Sequence, residues 1–316
     1  MSGFVRLLYL NRAMTESIEY FFFVFFRWLA WRLSHHQAST LGAFLGSTVF
    51  TLTGFRKKVT YENLSRAFPE KPGDELHRIA KGAFRNYGIS VLEMLWASGQ
   101  SGDDLRKTVR IANKEVFENN FARNKGIILL SAHYGSWEFL VQGFRIQLGL
   151  PVAMIAQHQR NGRIDALIQA ARARFGNTSI PMGVAARDVF RRLQEGGIVL
   201  ILGDQSGSRE SLYIDFFGRP AATHRGAAAF SLKTGAPIVM VFLIRQADGT
   251  AEAVLEEVDR TGVEEYTEDN VMELTRRHTV ILERYIRLHP DHWLWMHKRW
   301  KHTAYYQSQR TAGQEA

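Results

Sequence analysis

The chain has 316 residues, with 40 Lys+Arg against 31 Asp+Glu, a net charge of +9, 46% hydrophobic residues and no cysteine. That apolar content excludes an intrinsically disordered chain, and the lack of cysteine excludes a disulfide framework, a thiol nucleophile and a thiolate zinc site. The charge is concentrated at two ends: residues 1–60 carry seven cations against Glu16 and Glu19, residues 276–301 carry seven against Glu283 and Asp291, and the body between them is near neutral. Two such ends suit an anionic membrane surface, an acidic protein or a nucleic acid.

Residues 18–33 read IEYFFFVFFRWLAWRL, and 13 aromatic side chains fall within the first 60 positions, more than a small soluble core would cover. Residues 38–55 carry no charge but are diluted by Ser39, Thr40, Ser47, Thr48, Thr51 and Thr53. Neither stretch is a clean run of about 20 apolar residues. No small-residue cleavage site follows a short apolar core, so a secretory signal is not expected. Trp, Tyr and Arg interleaved with Phe suit the lipid headgroup level, and Arg56, Lys57 and Lys58 would face anionic lipid. Segment 1–60 is therefore expected to be a membrane-anchoring helical segment, interfacial or a short tilted span. The phenylalanines of FFFVFF do not alternate with cations as a base-stacking groove would, so no nucleic-acid partner is expected.

Beyond residue 60 the pattern changes. Helical spacing of Leu76, Ile79, Ala80, Ala83, Phe84, Tyr87 and Val91 predicts a helix over 74–98. Short apolar runs at 126–131, 151–156, 198–203 and 237–244 predict strands, separated by helices at 136–148, 163–175, 184–195 and 224–235. A long helix is expected over about 265–288. Continuously apolar strands alternating with helices predict an α/β domain over 61–302, its mainly parallel central sheet covered by helices. The polar tail at 303–316 is expected to be disordered.

In such folds chemistry sits where strands end and helices begin. His133 follows the first strand, and Glu138 falls in the first turn of the next helix, with Ser136 as its expected N-cap. Gly135 would let the chain fold the carboxylate back onto the imidazole. Glu138 would then accept the Nδ1 proton and leave Nε2 as a general base for a substrate hydroxyl. G-x-S-x-G, H-E-x-x-H, Walker A and G-x-G-x-x-G motifs are all absent. Without a thiol or an elbow serine, direct attack by an activated hydroxyl is the expected mechanism. Arg160, past the second strand, could hold a phosphate or an oxyanion, with a solvated loop arginine as the alternative. Asp204, past the third, could position Arg160 or the substrate, or cap a turn. His224 and Arg225 read as a helix cap. HPDHWLWMHKRWK reads as aromatic packing with snorkelling cations, or as a lip that meets the membrane or an acidic carrier.

From about residue 15 to 303 these features resemble the late acyltransferases of lipid A biosynthesis, a branch of the lysophospholipid acyltransferase superfamily. The resemblance rests on an ordered set: Asn63-Leu64, Phe68-Pro69-Glu70, His133 with Glu138, Arg160-Asn161, Gly203-Asp204-Gln205, Phe216-Phe217-Gly218, Ala221, Thr223, Gly226, His289-Pro290, Trp293, Trp295, His297 and Arg299-Trp300-Lys301. It implies a glycerolipid-acyltransferase-like fold. It also implies transfer of a fatty acyl chain from acyl carrier protein to a hydroxyl of a lipid A precursor, on the cytoplasmic face of the bacterial inner membrane. Carried over by position, His133 and Glu138 would be catalytic, while Arg160, Asn161, Asp204, Gln205 and Thr223 would bind substrate. No cofactor or metal is implied. The glycerol-phosphate branch usually has aspartate where this chain has Glu138, and its phosphate motif lies beyond the histidine, whereas Phe68-Pro69-Glu70 precedes it. Two alternatives are an acyl-CoA-dependent enzyme acting on another glycolipid, such as a phosphatidylinositol mannoside, and a non-catalytic basic membrane or nucleic-acid binder.

Overall fold

The computed structural model describes residues 3–182 and 185–314. Four helices open the chain: α1 (Gly3–Arg32), α2 (His35–Leu52), α3 (Lys57–Ala67) and α4 (Gly73–Ala97). Ser34 starts α2 with a reciprocal capping box, its hydroxyl accepting the Gln37 N–H while the Gln37 side chain accepts the Ser34 N–H. Glycines bring α2 onto α4. A Cβ at Gly46 would lie 2.2 Å from the Phe84 carbonyl oxygen, so the two backbones meet with no side chain between them. Helices α1 and α2 thus pack onto α4, while Ile18, Phe21, Phe22, Phe25 and Trp28 of α1 and Phe44, Leu52 and Phe55 remain exposed. No single helix among the described residues is long and apolar enough to cross a membrane. Only α2 with α3, bent by 96°, reaches that length and composition together.

The α/β body follows: α5 (Gly102–Thr108), β1 (Val109–Ile111), α6 (Lys114–Phe121), β2 (Ile127–Ser131), α7 (Trp137–Leu148), β3 (Val152–Ala156), α8 (Gly162–Ala173), β4 (Thr178–Pro181), α9 (Ala185–Gln194) and β5 (Ile198–Leu202). After a hairpin of β6 (Leu212–Phe216) and β7 (Arg219–Thr223) come α10 (Gly226–Thr234), β8 (Ile238–Arg245), β9 (Ala251–Glu257), α11 (Glu268–Leu288), a 3₁₀ turn at Pro290–His292 and α12 (Thr303–Gln314). The main sheet has seven strands in the order β1-β9-β8-β2-β5-β3-β4. Strands β8, β2, β5, β3 and β4 run parallel, whereas β9 is antiparallel to β8 and carries β1 parallel to itself.

The sheet separates two apolar layers. Ile128, Leu130 and Met240 face α9, α10 and α11, while Ile127, Leu129 and Val241 face α4 and α7. With both faces covered, every residue of β2 is buried, which is why it reads as an unbroken apolar run. The α/β class with a mainly parallel, helix-covered sheet is therefore as expected. The tail is a correction. Thr303–Gln314 is helical, the Tyr306 ring stacks on Tyr213 with centroids 4.0 Å apart, and the Thr303 hydroxyl donates to the Pro220 carbonyl at 2.7 Å. Residues 315–316 lie outside the described residues.

Candidate active site

Strands β2, β5 and β3 are neighbours, so the chain leaving their carboxyl ends converges on one edge. There His133, Trp137, Glu138, Arg172, Gln205 and His224 line a pocket of about 260 Å³, with Met154, Ile155 and Ile201 supplying apolar wall.

His133 Nδ1 lies 2.8 Å from Asp204 Oδ1, and the Trp293 indole N–H donates to Asp204 Oδ2 at 2.9 Å. Asp204 is buried and the His133 side chain is 20% exposed, so the ring is fixed at one edge and open at the other. Burial alone would lower the imidazole pKa, but the Asp204 charge and hydrogen bond outweigh it, with Glu138 adding to them, and the pKa is raised. Burial would raise the Asp204 pKa, yet the imidazole and its hydrogen bonds hold it below the usual carboxylate range. With Asp204 accepting from Nδ1, the Nε2 lone pair faces the pocket, 3.3 Å from the Gln205 side-chain nitrogen.

Glu138 does not take the place expected for it on Nδ1. Its carboxylate instead receives both Nε and Nη2 of Arg172 from the last turn of α8, at 3.2 and 2.5 Å. The turn explains the difference. Gly135 adopts φ +55°, and a Cβ there would lie 2.1 Å from the Leu243 carbonyl oxygen, so the glycine presses the chain against β8 rather than folding the carboxylate onto the ring. Ser136 occupies the N-cap position, but its hydroxyl donates to the buried Glu93 carboxylate and accepts from Arg245 instead of capping α7.

The remaining expected residues divide. Asp204 and Gln205 are at the pocket. Arg160 is exposed and pairs with Glu19 of α1 at 2.7 Å; it does not line the pocket, although its neighbour Gln159 does. Asn161 caps α8 through its carbonyl oxygen, and its amide donates to the Glu16 carbonyl at 2.7 Å. Thr223 is buried beside the pocket, where its hydroxyl accepts from Arg299 Nη2 at 2.7 Å. Arg172 was not among the expected site residues, because a cation in the last turn of a helix reads as a complement to the helix dipole.

The C-terminal aromatic segment is the support beneath this site. The Leu294 N–H donates to the His133 carbonyl at 3.0 Å, and the Asn63 side chain donates to the Trp295 and His297 carbonyls. Phe68 meets Phe217 and Trp295, and Phe216 meets Trp293, so motifs far apart in sequence form one seam. The basic C-terminal end is largely paired within the fold: Arg276 and Arg277 with Glu273, Arg284 with Glu256, and Arg287 with Glu283. Arg299 is buried, its pKa lowered to about 10 by desolvation.

A second, apolar cavity of about 580 Å³ opens between α1, α2 and α4, lined by Phe22, Phe26, Val49, Tyr87, Val91 and Met296 among others. Trp137 connects the two regions, its ring lying 5.2 Å from that of His133 and 6.1 Å from that of Tyr87.

A sequence profile described as bacterial lipid A biosynthesis acyltransferase matches residues 10–302. The chain is 24% identical over 277 residues to the lipid A biosynthesis palmitoleoyltransferase of Escherichia coli K12, covering 87% of this chain and 88% of that protein. It is 23% identical to the lauroyltransferase of the same organism, over the same shares. It is 20% identical to the phosphatidylinositol mannoside acyltransferase of Mycolicibacterium smegmatis, covering 72% of this chain and 77% of that protein. The chain belongs to the bacterial lipid A biosynthesis acyltransferase family and is an O-acyltransferase.

Proposed function

We propose that the chain moves a fatty acyl group from acyl-acyl carrier protein to a hydroxyl of a lipid A precursor, at the cytoplasmic face of the bacterial inner membrane. The observation that carries this reading is the His133–Asp204 couple, with Nε2 turned into a mixed polar and apolar pocket at the strand ends. In the step envisaged, Nε2 takes the proton of the acceptor hydroxyl while that oxygen attacks the thioester carbonyl. The C–O bond forms, the C–S bond breaks, and the imidazolium returns its proton to the departing thiolate. Asp204 and Glu138 both favour the transient imidazolium, and the Gln205 amide is a near donor for the carbonyl oxygen. Glu138, tied to Arg172, is assigned to the charge balance of the pocket and not to the orientation of the ring.

Two further features support a lipid substrate. The apolar cavity offers a place for hydrocarbon, and the exposed aromatic face of α1 suits the membrane interface. The paired state of the C-terminal arginines leaves fewer free cations than the sequence suggests for either anionic donor, acyl carrier protein or acyl-CoA. Purified full-length protein, supplied in parallel with acyl-acyl carrier protein and acyl-CoA, should add one acyl chain to a lipid A precursor by mass spectrometry. Transfer from CoA alone would replace the donor, and transfer to phosphatidylinositol mannoside alone would replace the acceptor.

A further inference from the structure

Behind the pocket, Arg27 of α1, Gln142 of α7, and Glu138 with Arg172 line a cavity of about 10 Å³, whose other walls include Leu95 and Ile168. Three polar atoms of this set, Arg27 Nε, Gln142 Oε1 and Arg172 Nη1, are buried without a hydrogen-bond partner. Gln142 is 3% and Arg172 7% exposed, so bulk water does not satisfy them. Leaving three such atoms unmet on residues that line one cavity is costly, and a cavity of this size admits one water molecule. The chemistry also matches. Two N–H donors and one amide oxygen are the partners of a single water that accepts twice and donates once.

We propose that one ordered water fills this cavity and joins Arg27 to the Arg172–Glu138 pair, making Arg27 a positioning residue for acyl transfer. The first helix is then part of the catalytic framework as well as a membrane contact. Arg172 spends Nε and Nη2 on Glu138, so Nη1 is the edge by which its guanidinium plane can be fixed from behind. Arg27 is itself held, its guanidinium carbon 4.3 Å from the Trp31 ring centroid, while the Trp31 indole N–H donates to the Leu95 carbonyl at 3.1 Å. The same helix is tied to α8 by the Glu19–Arg160 pair and by Arg163 over Tyr20.

The proposal rests on the reading that Glu138 and Arg172 serve acyl transfer, and the test separates the two. An experimental map of the full-length protein in detergent, sharp enough to show ordered water, should place one peak within hydrogen-bond distance of all three atoms. A dry cavity, or a hydrocarbon chain in it, overturns the proposal. In turnover assays Arg27→Met and Gln142→Met should each lower kcat about tenfold, the scale of one charge-assisted hydrogen bond, with KM unchanged. The double variant should be no slower than the slower single, because both remove the same bridge. Undiminished kcat, or losses that multiply, would overturn it. If the native protein transfers no acyl group, the functional reading falls and the map alone decides for or against the water.

Discussion

His133 Nδ1 and Asp204 Oδ1 lie 2.8 Å apart although 71 positions separate them. Sheet register brings them together. Strands β2 and β5 pair in parallel with Ser131 opposite Leu202, and each of the two side chains stands two residues past that rung. A carboxylate with one oxygen on the imidazole and the other on the Trp293 indole is fully engaged, which fixes the ring before substrate arrives.

This pair sets a pH dependence. Asp204 raises the His133 pKa above its ordinary 6.5, and only the neutral ring can accept a proton, so kcat/KM should climb as pH rises through that raised value. Asp204→Asn keeps the shape but removes the charge. Burial is then opposed only by the weaker pull of Glu138, and the acid limb should move to lower pH while the plateau falls by on the order of 10²-fold or more. A limb that stays in place in a pH-rate profile would contradict the coupling.

Glu138→Gln should move the same limb in the same direction by less, because Glu138 influences His133 without a hydrogen bond. Arg172→Met leaves the Glu138 carboxylate without its bidentate partner, and the expected loss is in kcat, by about 10-fold or more. Steady-state kinetics on both variants, with KM and kcat resolved, checks this.

Stability has its own buried centre. Glu93 is 1% exposed and engages Arg245 at 2.9 Å, His35 at 3.0 Å, Ser39 and Ser136. Glu93→Ala strands the Arg245 guanidinium, which should cost about 3–5 kcal/mol in chemical denaturation. The Glu93 pKa is lowered: burial pushes it up, but Arg245 and His35 outweigh burial. Its contribution to stability is therefore present above the ordinary carboxyl value and lost as pH falls through the depressed one.

The exposed face of α1 should carry membrane binding. Replacing Phe21, Phe25 and Trp28 together by serine removes three large exposed apolar side chains. At about 1.5–3 kcal/mol for each one buried in lipid, partitioning onto anionic vesicles should drop by at least 10²-fold in a flotation assay.

Much of the framework was legible in the sequence, because buried parallel strands read as unbroken apolar runs and the intervening helices have clear starts. Short elements such as β1 and β4, at three and four residues, leave no periodicity to read. At the site, the strand-end rule located His133 and Asp204 but not their bond, since strand order is not written in local spacing. Gly135 suggested a turn that folds Glu138 onto His133, whereas the Glu138 carboxylate pairs with Arg172, which arrives from the end of a helix 34 positions on. Arg160 follows the alternative of an exposed loop arginine, and its pairing with Glu19 of α1, 141 positions away, is not written in local spacing.

The measurement closest to the central claim is the acyl-transfer rate of His133→Ala, with the folded state checked by thermal melting. Loss of a positioned general base should lower kcat by about 10²–10⁴-fold with KM and melting temperature near those of the parent. Undiminished turnover by a folded His133→Ala protein would contradict the account.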